Sequence, residues 1–198
     1  MKLIFCFSLI CLLLAVRAAD AQGFVYDQQS TNLIEGAAFL QSGQPMGQSF
    51  KPSLLSIGFI VLSLYDSDAG HSSGSTVYVN LRSNAITGIV LISTTPIFLP
   101  DHFFGITNFF FTTPVAVVSG ITYYMQPVIQ AGDTVGSDIT DGSYPNGNLI
   151  VQGNPISGRN LWFQEGVITT PEPSAIALLV LGGGCLAIFG MRKKRHAG

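Results

Sequence analysis

Between residues 22 and 170 the chain has no cysteine; Cys6 and Cys11 fall before this stretch and Cys185 after it. The body therefore has no disulfide, no thiolate nucleophile and no cysteine-based metal site. Positive charge is almost as scarce: the same stretch carries nine acidic residues against three basic ones, Lys51, Arg82 and Arg159, a net of −6. Three scattered cations make no basic stripe, which excludes nucleic acid as a partner. No part of the body repeats apolar residues with a period of 3.6, so packed helices are not expected. Also absent are a Gly-x-Ser-x-Gly elbow, a His-Glu-x-x-His pair and a phosphate-binding glycine-rich loop. Histidine in the body is limited to His71 and His102.

Long apolar runs are confined to the two ends. Met1-Lys2, an apolar run over residues 3–16 and the small-x-small triplet Ala19-Asp20-Ala21 predict a secretory signal peptide over residues 1–21. At the other end, Pro171-Glu172-Pro173 is followed by eighteen uncharged residues, 174–191, and then by Arg192, Lys193, Lys194 and Arg195. At about 1.5 Å of rise per residue, eighteen residues span roughly 27 Å, enough to cross the hydrocarbon of a bilayer. The two prolines suit the approach to a helix start, and Glu172 would sit at the positive end of its dipole. The basic cluster suits a stop-transfer signal on the cytoplasmic side. A transmembrane helix over 174–191 is therefore expected, with a basic tail over 192–195.

This order of Pro-Glu-Pro, short apolar helix and terminal basic cluster resembles the PEP-CTERM sorting signal of Gram-negative bacteria. The resemblance covers residues 169–198. It implies processing near Pro171-Glu172-Pro173 by an exosortase, a membrane-embedded cysteine protease. It also implies a precursor held transiently in the inner membrane, and a product delivered to the cell surface or into extracellular polymer.

The segment left between the ends, residues 22–168, is long enough for one domain with its own core. Its pattern is β throughout. Residues 55–65 are apolar at both odd and even positions, as in a strand covered on both faces. Val77, Val79 and Leu81 alternate with Tyr78, Asn80 and Arg82, as in a strand covered on one face. Further strands are expected over 88–93, 107–112, 115–118, 121–129, 148–152 and 160–165. Glycine- and serine-rich turns are expected at 67–75, 132–144 and 153–158. The fold class is thus all-β, a two-sheet antiparallel sandwich of jelly-roll type. The pieces Gly47-Gln48-Ser49-Phe50-Lys51-Pro52, 107–112, 117–124 and Leu161-Trp162-Phe163 are similar to the β-sandwich ectodomains of the choice-of-anchor group. That resemblance implies a fold and a surface habitat but no reaction.

Three constellations could carry function. His71 lies in a loop with Asp66, Asp68, Ser72 and Ser73, but a nucleophile, base and orienting acid normally converge from separate elements, so the loop is read as a solvated turn between two strands. Asp66 and Asp68 before Gly70 form a fragment of an oxygen-rich Ca²⁺ pattern, and Asp133, Asp138 and Asp141 lie in a second glycine-rich loop; neither continues into a full ligand set. Tyr123, Tyr144 and Trp162 are candidate glycan contacts, with Tyr124 and Phe163 beside them and Asn146, Asn148, Asn154 and Asn160 as hydrogen-bonding neighbours. In 161–164 successive side chains point to opposite faces, so Trp162 and Phe163 cannot both enter one core. Three readings follow: a non-catalytic structural or adhesive surface protein without a cofactor, a lectin-like module for extracellular polysaccharide, or a hydrolase whose site is built from loops.

Overall fold

The computed structural model describes residues 23–32, 34–68, 70 and 73–169. The expected signal peptide, the Pro171-Glu172-Pro173 motif, the helix over 174–191, the basic residues Arg192, Lys193, Lys194 and Arg195, and His71 lie outside the described residues. Among the described residues no helix is long and apolar enough to cross a membrane.

Phe24–Ile168 is one compact unit. Its strands are β1 (Gly23–Ser30), β2 (Ile34–Phe39), β3 (Gly47–Phe50), β4 (Ser56–Asp66), β5 (Ser75–Ser83), β6 (Val90–Ser93), β7 (Ile97–Leu99), β8 (Phe104–Ala116), β9 (Tyr123–Gly132), β10 (Val135–Thr140), β11 (Leu149–Val151), β12 (Asn154–Ile156), β13 (Asn160–Leu161) and β14 (Phe163–Thr169). They form two seven-stranded sheets. In the first, β4 is flanked by β8 on one side and by β14 and β10 on the other, with β1 beside β14 and β2 and β13 on β10. The second runs β12-β11-β3-β9-β5, with β6 and β7 both on β5. The described strand pairs are antiparallel, so the described residues form an all-β domain with two antiparallel sheets, as a sandwich requires.

β4 organises the first sheet because both of its faces are covered. Ile60, Leu62 and Leu64 meet Val77, Val79, Leu81 and Met125 of the second sheet in the central core. Phe59 and Val61 point the other way and are still at most 1% exposed. Burying such a side chain is worth about 1.5–3 kcal/mol, so this run is a large share of the driving force. A polar contact also crosses between the sheets: the side-chain amides of Gln48 on β3 and Asn160 on β13 meet at 2.8 Å, and Gln48 Oε1 accepts from the Leu161 N–H at 2.8 Å.

Several boundaries differ from those expected. The 132–144 stretch, expected as a turn cluster, contains β10, where Ser137, Asp138 and Thr140 are buried. The strands expected at 107–112 and 115–118 are one, β8, which runs through Pro114. An edge strand tolerates that proline because its missing N–H can face outward. The strand expected over 160–165 breaks at Trp162: Leu161 pairs with Ile139 of β10, whereas Phe163 pairs with Leu62 of β4. β1, β2, β3, β7 and β12 are strands beyond those expected; β3, β7 and β12 are only three or four residues long.

Candidate functional site

The acidic loops gather at one end of the domain. Asp66 closes β4, and the turn after β7 brings Asp101 and His102 beside it, so that one potential ligand atom from each lies within 4.8 Å of the others. Asp66 Oδ1 accepts from the Asp68 N–H at 3.0 Å and Oδ2 from the His102 N–H at 2.9 Å. These two N–H groups, Asp68's first, hold the Asp66 carboxyl below the usual carboxylate range. Asp68 Oδ1 in turn accepts from the Gly70 N–H at 3.2 Å. His102 is in the left-handed region at φ 58°, and its Nε2 is 3.6 Å from Asp101 Oδ2.

The second set of aspartates is dispersed. Asp133 Oδ2 accepts from the N–H groups of Ser73 and Gly74 at 3.1 and 3.0 Å. Asp138 is buried on β10 and accepts from Ser63 Oγ at 2.6 Å, while Asp141 caps its own turn through the Ser143 N–H at 3.1 Å. The expectation of a shared Asp133–Asp138–Asp141 loop is corrected: β10 carries Asp138 into the interior, away from the two turns. Asp133 and Asp138 act as fasteners, satisfying N–H or hydroxyl donors of a neighbouring loop or strand, and Asp141 closes its own turn.

The aromatic platform expected from Tyr123, Tyr144 and Trp162 does not form. Tyr123 and Tyr144 are only 8% and 7% exposed. The Tyr123 hydroxyl accepts from the Val118 N–H at 3.0 Å; that of Tyr144 accepts from the Lys51 N–H at 3.2 Å and donates to Gln28 Oε1 at 3.1 Å. Tyr144 packs edge-on against Phe163, with ring centroids 5.2 Å apart. Trp162 is half-buried and Phe163 wholly buried, as the alternation requires. Asn160, expected at a polar rim, is instead buried against Gln48.

A different set of rings shares a solvent-facing surface. On β4 the side chains alternate, so Phe59 and Tyr65 lie on the face opposite Ile60, Leu62 and Leu64. Register places Phe110 beside Phe59, Ile106 beside Ser63 and Phe104 beside Tyr65. Phe24 and Tyr26 of β1 stand edge-on to Phe59 at 5.0 and 5.5 Å, and Phe24 is 6.1 Å from Phe110. Phe24, Tyr26 and Phe110 keep 41%, 48% and 39% of their surface exposed. Gln164, which donates to Gln29 Oε1 at 3.0 Å, and the exposed Asn108 add polar groups to the outer surface of this sheet.

One open groove of about 490 Å³ runs between β2 and β11–β12. Its lining includes Phe39, Ile139, Leu149 and Val151, with the Glu35–Arg159 ion pair also lining it. His102 and the acidic loops are not part of it.

Glu165 escaped the sequence reading. It is wholly buried on β14, and neither carboxyl oxygen has a hydrogen-bond partner. Burial first, and then the nearby negative charge of Asp27, push its pKa up to about 9, so at neutral pH it is a neutral acid. Burial also acts to raise Asp27, but bonds from Leu54 N–H, Ser53 and Gln28 outweigh it and leave Asp27 lowered. Those bonds run at 3.0 Å from Leu54 N, 2.6 Å from Ser53 N and 3.0 Å from Gln28 Nε2, with the Ser53 hydroxyl as a fourth donor. Tyr144 is pushed up to about 12, mainly by burial and further by the Glu165 and Asp27 charges. A split acid pair of this kind can run acid–base chemistry, but Glu165 has no exposed surface and no substrate could reach it. Period-2 alternation from Leu161 and Phe163 was the available signal, since it places Glu165 on the same inward face.

No protein-family model matches the chain, and no curated protein matches it in sequence.

Proposed function

We propose that this protein is an exported, non-catalytic β-sandwich of jelly-roll type that serves a structural or adhesive role at the cell surface or in extracellular polymer. It is sorted there by its C-terminal segment. The observation that carries the non-catalytic reading is the use of carboxylates as fasteners: Asp27, Asp66, Asp133 and Asp138 each spend an oxygen on a backbone N–H or a serine hydroxyl of another segment. Polar groups committed in this way position loops rather than a substrate. The sorting half of the reading is supported by sequence, through Pro171-Glu172-Pro173, the uncharged residues 174–191 and the four cations 192–195.

Replacing Pro171-Glu172-Pro173 by three alanines tests the sorting. Export and membrane insertion should persist, because hydrophobicity drives them. Release should fail, so that the variant accumulates in the inner membrane at the length of the precursor less its signal peptide. Fractionation in the native host, with mass spectrometry of the C-terminus, reads the result. Wild-type protein that keeps residues 174–198 at steady state would be a plain single-span protein, and an exosortase-type protease would have no part in it.

A second reading, glycan binding, is favoured by the exposed rings on the outer face of the first sheet. Phe24, Tyr26 and Phe110 would supply the apolar stacking surface, and Gln164 and Asn108 the polar rim. A glycan array on residues 22–168, repeated with Phe24→Ala and Tyr26→Ala, separates the two: retained binding in both variants places any glycan elsewhere.

A further inference from the structure

Three large aliphatic side chains stand in solvent at one end of the domain. Leu55 is 73% exposed, Val118 61% and Ile121 54%. They lie on two loops, 51–55 and 117–122, which are joined by hydrogen bonds from Val117 N–H to Leu55 O at 3.0 Å and from Gly120 N–H to Pro52 O at 2.8 Å. The second loop is closed by Ile121 N–H on Val118 O at 3.2 Å, and Gly120 turns it at φ 78°. The aliphatic groups are therefore held outward by a fixed backbone frame.

Two further observations say what this end meets. The chain leaves the domain here: β14 runs antiparallel to β4, from Phe163 beside Leu62 to Gly166 beside Phe59, and Ile168 then passes Gly58, three residues from Leu55. From Ile168 to Ser174, where the uncharged run begins, there are six residue steps, a reach of at most about 20 Å. The charges are also sorted along the domain. Asp66, Asp101 and Asp133 lie at the far end of β4, about 33 Å away over the ten steps of about 3.3 Å from Ser56 to Asp66. At the aliphatic end Lys51 is exposed, and Asp27 is held by its bonds to Ser53 and Leu54.

We propose that the Leu55–Val118–Ile121 end is a lipid-contacting surface, which dips into the headgroup region of the bilayer while the C-terminal segment is still inserted. The inference rests on the reading of residues 174–191 as a membrane span. Given that span, the short tether keeps this end near the bilayer. The loops supply apolar groups at the depth of about 5–10 Å typical of interfacial insertion. The distal carboxylates face away from an anionic surface.

The test uses the full chain, purified from a host without a processing protease and reconstituted in vesicles of phosphatidylethanolamine and phosphatidylglycerol that contain acyl-chain-brominated lipid. In a Trp162→Phe background, a single reporter is placed by Val118→Trp or, at the far end, by Phe104→Trp. The expected result is about twofold quenching of the indole at position 118 and none at position 104, as the insertion depth of the loops requires. Leu55→Ser with Ile121→Ser should return the position-118 emission toward its unquenched value. Vesicles that float with the protein but quench neither indole would overturn the inference and leave the span intact. Equal quenching at both positions would overturn it too, as would a blue shift at 118 without quenching, which would mean that a second protein surface covers the loops. Protein that does not float with the vesicles refutes the span, and the inference with it.

Discussion

Glu165 makes the stability of this domain depend on pH in a direction unusual for an acidic residue. Its folded-state pKa is raised to about 9 from a reference of 4.5, so between those values the native state keeps a proton that the unfolded chain has released. Stability therefore falls as pH rises through the window, by about 1.4 kcal/mol per unit. At pH 7 the loss relative to pH 4.5 is about 3 kcal/mol, a sizeable part of a total of about 5–15 kcal/mol. Asp27 acts in the opposite sense and in a different range. Its lowered pKa gives stability that is present above the reference of 3.8 and lost as pH falls below it. The perturbation is Glu165→Gln, which keeps the shape and removes the ionisation. Urea unfolding of residues 22–168 from pH 5 to pH 8.5 should give a falling wild-type midpoint at constant m and a flat one for the variant. The slope is the quantity to compare, because an unpartnered buried amide has its own cost of about 1–3 kcal/mol at every pH. A flat wild-type profile, or a variant that keeps the wild-type slope, would refute the reasoning.

Gly47→Ala should destabilise by about 1–3 kcal/mol or more, because an added Cβ would sit 2.0 Å from the Met125 carbonyl oxygen in the β3–β9 ladder; the urea midpoint reads it. Tyr144→Phe should cost about 1–2 kcal/mol through the lost bonds to Lys51 N–H and Gln28, with no change in any polysaccharide binding measured alongside. EDTA should lower the melting temperature by no more than about 2 °C, since both Asp66 oxygens already accept N–H donors; a larger drop restored by Ca²⁺ would show that Asp66, Asp101 and His102 hold an ion. Reductant should leave the midpoint of residues 22–168 unchanged, because the segment has no cysteine.

The legible parts of this fold are those where burial and apolarity coincide. β4 could be read because both of its faces are covered by apolar neighbours, and β5 because only one is. β10 could not, since Ser137, Asp138 and Thr140 are buried by virtue of cross-strand and side-chain bonds rather than hydrophobicity. The break at Trp162 was hidden for another reason: Leu161 and Phe163 keep the same inward alternation while the chain changes partner from β10 to β4. Among the candidate sites, Asp66 with Asp68 was visible as a local pattern, whereas Asp101 and His102 reach it only through the fold. The aromatic face drew on Phe24, Tyr26, Phe59 and Phe110, residues far apart in the chain and unremarkable one by one.

The position of β14, between β1 and β4, sets an order of events. Among the described residues the last strand is an interior strand, and β1 has no other neighbour in its sheet. Synthesis delivers β1 first and β14 last, so through most of translation the N-terminal strand has nothing to pair with. The Gln48–Asn160 contact between the sheets likewise waits for the end of the chain. Folding of this domain is thus gated by completion, and contacts spanning nearly the whole sequence make for slow closure, on the scale of milliseconds to seconds. A chain stopped short of residue 163 would leave β1 and the Phe59–Leu62 stretch of one β4 edge without β14, a form suited to degradation or aggregation rather than to partial activity. Cleavage beyond Thr169, by contrast, would leave every described strand in place.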